Sequence, residues 1–244
     1  CHERTRPKSA ISHNKFIVKL RDGQPVAVWT GGTNFSRGGI FGHSNVAHVV
    51  EDPAIAAIYL AYWTALDADP DDATLTAEVE RLTPLPPPLP PRGTPPIFSP
   101  RNGIAALDSY AALAMRARDG LMMTFAFGMN DVFKTVYGTS SAPFRLALLE
   151  QKTRPMKPGP ARDAEEQAIQ RLRNMPENVF AVGSLIKTNE IEGWVKEKLS
   201  GLNKNVRYVH NKFMLIDPLG RDPIVVTGSA NFSKASTVDN DENM

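Results

Sequence analysis

Apolar and polar side chains alternate or run apolar over residues 11–20 and 25–30, on either side of the polar "RDGQ". That pattern predicts two strands joined by a turn. "VAHVVE" at 46–51 predicts another strand. Asp52 then offers an N-cap and Pro53 a first helical position. Ile55, Ile58, Tyr59, Tyr62, Trp63 and Leu66 follow at helical spacing, which predicts a helix with an apolar face. That face reads as core in preference to a membrane contact. A short helix is predicted over 72–82. The run "TPLPPPLPPRGTPP" reads as an extended, semi-rigid linker rather than an SH3-type ligand.

Beyond the linker the pattern becomes strand, helix, strand. "PIFS" predicts a strand, 103–119 a helix ending at Gly120, and "LMMTFAFG" a strand. A helix is predicted over 142–151. The polar stretch 152–176 reads as an exposed insertion holding a helix. "VFAVGS" predicts a strand and 190–199 a helix, after which a second strand pair closes the chain. Strands alternating with helices predict an α/β sandwich.

The two ends of the chain repeat each other. His13 to Ser36 reads "HNKFIVKLRDGQPVAVWTGGTNFS", and His210 to Ser233 reads "HNKFMLIDPLGRDPIVVTGSANFS". Eleven of the 24 positions are identical. Chance would give roughly one match in fifteen, so the excess marks a duplication. Identities gather at the two ends of the repeat, while the middle keeps only its apolar character. The fold is therefore expected to be two pseudo-symmetric α/β sandwich halves with mixed sheets. Residues 1–68 read as the C-terminal part of a first half, 69–96 as the linker, and 97–244 as a second half. The first half is expected to be truncated, with about 80 to 100 further residues upstream by analogy with the second. The C-terminus is expected to be truncated as well, so targeting is not readable.

Composition narrows the chemistry only a little. The formal net charge is +2, and 42% of residues are hydrophobic. That balance neither demands nor forbids a polyanionic partner, and it argues mildly against a processive nucleic-acid binder. One cysteine excludes an internal disulfide. No apolar run reaches the length of about 18 residues that a membrane span needs. His43 and His48 lie in no spacing that fits a metal, and read as surface or strand residues. No metal or cofactor is expected.

Each repeat carries a His, a Lys two residues on, and an Asn 21 residues after the His. His13 and Lys15 should share one strand face, as should His210 and Lys212. The strand pair should return Asn34 beside His13 and Asn231 beside His210. Two imidazoles, two ammonium groups and two amides suit a phosphate diester. Lysines supply fixed positive charge, and amides donate to the non-bridging oxygens. One imidazole can attack phosphorus while the other protonates the leaving oxygen.

These motifs resemble the phospholipase D superfamily, whose pattern is His-x-Lys, four residues, Asp, then Gly-Ser-x-Asn. The second copy fits in full with His210, Lys212, Asp217, Gly228, Ser229 and Asn231, and "NDEN" resembles the family's trailing Asn-x-Glu-Asn. The resemblance implies a structural role for Asp217 and an imidazole-orienting role for Glu242, expected here on the second site. The first copy keeps His13, Lys15, Gly31 and Asn34. Leu20 replaces the Asp, Gly32 replaces the Ser, and Asn45 stands as the substitute orienting group. With the carboxylate on the second site, His13 is expected to be the nucleophile and His210 the general acid. Lys15, Lys212, Asn34, Asn231 and Ser229 are expected to hold substrate. The resulting expectation is a metal-independent hydrolase acting on a phosphodiester through a phosphohistidine. Phospholipid is the favoured substrate and nucleic acid the runner-up. A degenerate phosphate-binding module is the non-enzymatic alternative.

Overall fold

A computed structural model describes residues 10–86, 93–150, 156–183 and 208–244. The chain divides into two compact units, and both are discontinuous in sequence. The first comprises Cys1–Gly32, Val46–Leu113 and Thr227–Met244, and the second Thr33–Asn45 and Ala114–Val226.

The first unit is built on β1 (Phe16–Arg21) and β2 (Gln24–Gly31), an antiparallel hairpin pairing Phe16 with Thr30. Asp22 and Gly23 form its two-residue turn, both at positive φ (50° and 78°). Asp-Gly is a favoured pair there, because such a turn matches the twist of the strands. In the second unit, α1 (Arg37–Gly42) leads into β3 (His43–Ser44). Back in the first unit, β4 (Ala47–Val50) adds antiparallel to β2. Asp52 caps α2 (Pro53–Asp67), its carboxylate accepting the Ala54 and Ile55 N–H groups. Then α3 (Asp72–Leu82) covers the 72–82 span predicted. Val28, Tyr59, Tyr62, Leu75, Val79 and Phe98 form the core between this sheet and its two helices. Phe98 lies in β5 (Phe98–Ser99) and stacks on Tyr62 at 4.1 Å. The α4 helix (Ala105–Ala114) is shorter than the predicted 103–119. Backbone N–H groups of Arg118, Asp119 and Gly120 go instead to the Asp217 carboxylate, at 2.8–3.0 Å.

The second unit carries a mixed five-stranded sheet. Its strands are β6 (Leu121–Phe125), β7 (Arg145–Leu149), β8 (Asn178–Val182), β10 (Phe213–Ile216) and β11 (Ile224–Thr227), in the order β11-β10-β6-β7-β8. β6, β7 and β8 run parallel, and β10 is antiparallel to β6. The helix expected over 142–151 is thus a strand. Leu146, Leu148 and Leu149 are good helix formers, but β7 sits between two parallel strands, where packing overrides propensity. The helix is upstream, α5 (Asp131–Thr139), capped by Asn130 and burying Phe133, Val136 and Tyr137. The helix inside 152–176 is α6 (Pro160–Arg173). It is the crossover between parallel β7 and β8 rather than an insertion, and it buries Ile169 and Leu172. β9 (Tyr208–Val209) pairs in parallel with β3. In the first unit α7 (Lys234–Val238) precedes β12 (Glu242–Asn243), which pairs with β5. The helix predicted over 190–199 and residues 87–92 of the linker lie outside the described residues.

Phe98 is fully buried and Val225 is 61% exposed. Phe98→Ala should therefore cost about 3–5 kcal/mol, whereas Val225→Ala should stay within about 0.5 kcal/mol. Urea unfolding of the two variants checks this.

Candidate functional site

Each unit holds one histidine and one lysine of the repeats, and each recruits the partners of that histidine from the opposite repeat. In the first unit the His13 N–H donates to the Asp241 carbonyl at 3.0 Å. The ring places Nδ1 2.8 Å from Glu242 Oε2. Ser229 Oγ donates to the same carboxylate oxygen at 2.7 Å, and Asn240 Nδ2 lies 3.5 Å from Oε1. Glu242 is fully buried. A carboxylate only accepts, so Nδ1 carries the ring proton toward it. The free choice between lone pair and proton then belongs to Nε2. Around this core, Asn243 accepts from Thr30 Oγ1 at 2.6 Å and donates to Asn14 Oδ1 at 3.0 Å. Asn14 in turn donates to the Tyr62 hydroxyl at 2.8 Å.

In the second unit the same backbone bond recurs, with the His210 N–H donating to the Ser44 carbonyl at 3.2 Å. His210 Nδ1 lies 2.9 Å from Asn45 Oδ1. Asn45 uses its NH2 group on the Gly39 carbonyl at 2.7 Å. Its oxygen therefore faces the ring, and Nδ1 is the donor here too. Asp241 and Glu242 stand in the second repeat where Ser44 and Asn45 stand in the first.

Glu242 therefore orients His13, not His210, and Asn45 orients His210, not His13. The same exchange holds for the amides. Asn231 belongs to the unit of His13, and Asn34 to the unit of His210. At the end of β2 the chain is pinned to its own trailing segment. Gly31, at φ +151°, lets the Val46–Ala47 backbone pass where a Cβ would lie 2.3 Å from the Val46 carbonyl. Gly228 does the same against the Asn243 carbonyl, at 2.2 Å. A chain pinned there to its own trailing segment leads away from the histidine of its own repeat. The histidines are also not in strands as expected, because β1 begins at Phe16 and β10 at Phe213.

Lys15 and Lys212 are both buried. Each turns its Nζ onto the carbonyl of the histidine two residues before it, at 2.6 Å for Lys212 and His210. Burial pulls Lys15 down to about 8, against the charge of Glu242, which holds it up. Ser36 and Ser233, the last residues of the repeats, cap α1 and α7. Asn34 and Asn231 each turn a carbonyl back onto that serine's N–H, at 2.8 and 2.7 Å. Asn231 Oδ1 is buried with no hydrogen-bond partner among the described residues. Asp217 lies outside this chemistry. It sits at φ 47° and ties the end of β10 to residues 118–120. Partial burial pushes its carboxyl up, but the Gly120, Asp119 and Arg118 N–H groups outweigh that, and the net direction is down.

Three participants escaped sequence reasoning. Glu150 accepts the Val209 N–H at 2.6 Å and so holds the strand that delivers His210. Asn243 bonds to Asn14 and Thr30. His43, read as an ordinary strand residue, brings its ring within 4.9 Å of the His210 ring. Only the doubled "HN" and the trailing "NDEN" could have hinted at the Asn14–Asn243 bond.

A family model described as "Cardiolipin synthase, PLD-like domain" matches residues 118–244. No curated protein matches the chain. Among solved structures, the polyphosphate kinase from Porphyromonas gingivalis is similar over 95% of this chain, with a TM-score of 0.51 and 12% identity. This chain spans 30% of that protein. At such identity the likeness is one of fold.

A buried ammonium that titrates at about 8 is a conditional charge. In the folded chain it is lost above about pH 8, while the unfolded chain keeps it to about 10.4. Stability from this group is therefore lowest below pH 8 and rises through that window. A bound oxyanion would hold Lys15 protonated. Sulfate binding at pH 9 should take up about one proton. Calorimetry in buffers of different ionisation heat reads the uptake, which Lys15→Met should abolish.

Proposed function

The chain belongs to the phospholipase D superfamily, and from that premise we propose that it cleaves a phosphodiester in two steps through a phosphohistidine. The superfamily is one of phosphoryl-transfer and phosphodiesterase proteins acting on phosphate-containing substrates. The observation that carries the finer reading is the pairing of each motif histidine with a fixed acceptor at Nδ1, beside a buried lysine. That is a device for presenting Nε2.

His13 is the nucleophile. His13 does not lack a carboxylate as expected, because Glu242 is its partner. When Nε2 attacks phosphorus, the ring still carries the Nδ1 proton and becomes cationic. A buried carboxylate at 2.8 Å offsets that charge, as the triad aspartate does for its imidazolium. Asn45, being neutral, offers His210 no such compensation. In the first step the new bond is Nε2–P, and the bond from phosphorus to the leaving alcohol breaks. His210 gives its Nε2 proton to that oxygen. In the second step His210 takes a proton from water, the water oxygen bonds to phosphorus, and the P–N bond breaks. Lys15 and Lys212 supply positive charge for the non-bridging oxygens, and Asn34, Asn231 and Ser229 complete the hydrogen bonding.

A phospholipid is the favoured substrate. The matching family is described by a lipid enzyme, and a net charge of +2 gives no broad basic stripe for a nucleic acid. Assaying phosphatidylcholine hydrolysis beside plasmid and single-stranded DNA cleavage decides between them. Cleavage of DNA alone would replace the lipid reading with a nuclease.

With a substrate that has a good leaving group, His210→Ala should still trap phosphate on His13, and His13→Ala should trap none. Label on His210 would reverse the roles, and no label on either would favour a binding module. Because lysines stand where a metal-dependent enzyme would place carboxylate-held ions, activity should survive EDTA. Loss on chelation with recovery on adding a divalent ion would refute that.

A further inference from the structure

Each repeat runs on past its capping serine into a short helix, α1 after Ser36 and α7 after Ser233. Aligned without a gap, Phe35, Ile40 and Phe41 of the first copy stand where Phe232, Thr237 and Val238 stand in the second. The two sets differ in exposure. Phe232 is buried and meets the Tyr110 ring edge-on at 6.0 Å. Thr237 is buried too, its hydroxyl donating to the Ser233 carbonyl at 3.0 Å. Phe35, Ile40 and Phe41 are 59%, 53% and 50% exposed. The second copy thus buries a threonine, while the first leaves an isoleucine and a phenylalanine against water. That arrangement costs free energy until an apolar surface covers it. Phe35 and Ile40 hold the N′ and N4 positions of α1, where paired apolar side chains fix the entry of a helix. Such a pair accounts neither for their exposure nor for Phe41.

The backbone of α1 is tied to residues of the site. Gly39 packs so close to Asn34 that a Cβ would lie 2.4 Å from the Asn34 carbonyl oxygen. The Gly39 carbonyl accepts from Asn45 Nδ2 at 2.7 Å, and Asn45 is the residue at His210 Nδ1. The exposed apolar side chains therefore ride on the same segment as two amides of the His210 half-site. Residues 33–45 also carry an exposed Arg37 and no Asp or Glu. The equivalent residues 230–242 set Lys234 against Asp239, Asp241 and Glu242. Apolar side chains beside an uncompensated cation suit the boundary of an anionic lipid surface, where acyl chains cover the first and headgroups attract the second. A phosphate site bordered by apolar surface also suits a substrate whose phosphate is joined to acyl chains. We propose that Phe35, Arg37, Ile40 and Phe41 form a docking surface for anionic phospholipid bilayers, an inference that rests on the reading of phospholipid as substrate.

The test keeps the two readings apart. Co-sedimentation with vesicles of phosphatidylcholine and phosphatidylglycerol in equal parts measures binding of the whole chain. Ile40→Ser and Phe41→Ser should each weaken it about tenfold. Arg37→Gln should weaken it about fivefold, and should have no effect on vesicles of phosphatidylcholine alone. Turnover of a water-soluble nitrophenyl diester should be unchanged in Ile40→Ser and Phe41→Ser. A further variant leaves the apolar face intact: the emission added by Phe41→Trp should be quenched by brominated acyl chains. The proposal is overturned if both serine variants bind vesicles as the wild type does, or if the added emission is not quenched. It is overturned as well if light scattering shows a dimer that Ile40→Ser and Phe41→Ser dissolve, which would make the occupant a second copy. If both serine variants lose vesicle binding while the wild type hydrolyses no phospholipid, the docking surface stands and the substrate reading falls.

Discussion

A single buried carboxylate organises the first half-site. Glu242 is removed from water, and an ionised carboxylate in that position must be hydrogen-bonded and charge-compensated. The structure meets the demand with the His13 ring, the Ser229 hydroxyl and the nearby Lys15 charge. Its strand is fixed by pairing with β5, and Phe98 of β5 is core. The side chain that steers the imidazole is thus anchored in the hydrophobic centre of the first unit.

The duplication is met by exchange. Equivalent backbone bonds hold His13 and His210, and each comes from the trailing segment of the other repeat. Equivalent glycines, Gly31 and Gly228, clear the path of that segment. Symmetry stops at the orienting group, which is Glu242 in one half-site and Asn45 in the other. That difference separates two histidines that sequence identity cannot tell apart.

Much of the fold was legible because local signals were strong. The Asp22–Gly23 turn, the Asp52 cap and the 72–82 helix needed only neighbours in sequence. The α5 helix was also legible, from Asn130 and from Phe133, Val136 and Tyr137, but was not read. β7 was not legible, because leucines that favour a helix in isolation become a strand only once β6 and β8 flank them. The repeated residues were legible because repetition picks out positions. Their pairing was not, because a motif says which groups are present, while partner choice depends on where the chain goes after Gly31 and Gly228. Glu150 and His43 were missed for the same reason, since their contacts are remote in sequence.

Glu242 of one repeat and His13 of the other, in direct contact, should be energetically coupled. A double-mutant cycle on unfolding free energy, with His13→Asn, Glu242→Gln and the double variant, tests it most directly. A coupling of about 0.5–3 kcal/mol is expected, because the carboxylate and the ring are direct partners at 2.8 Å. Additivity to within about 0.3 kcal/mol would contradict it.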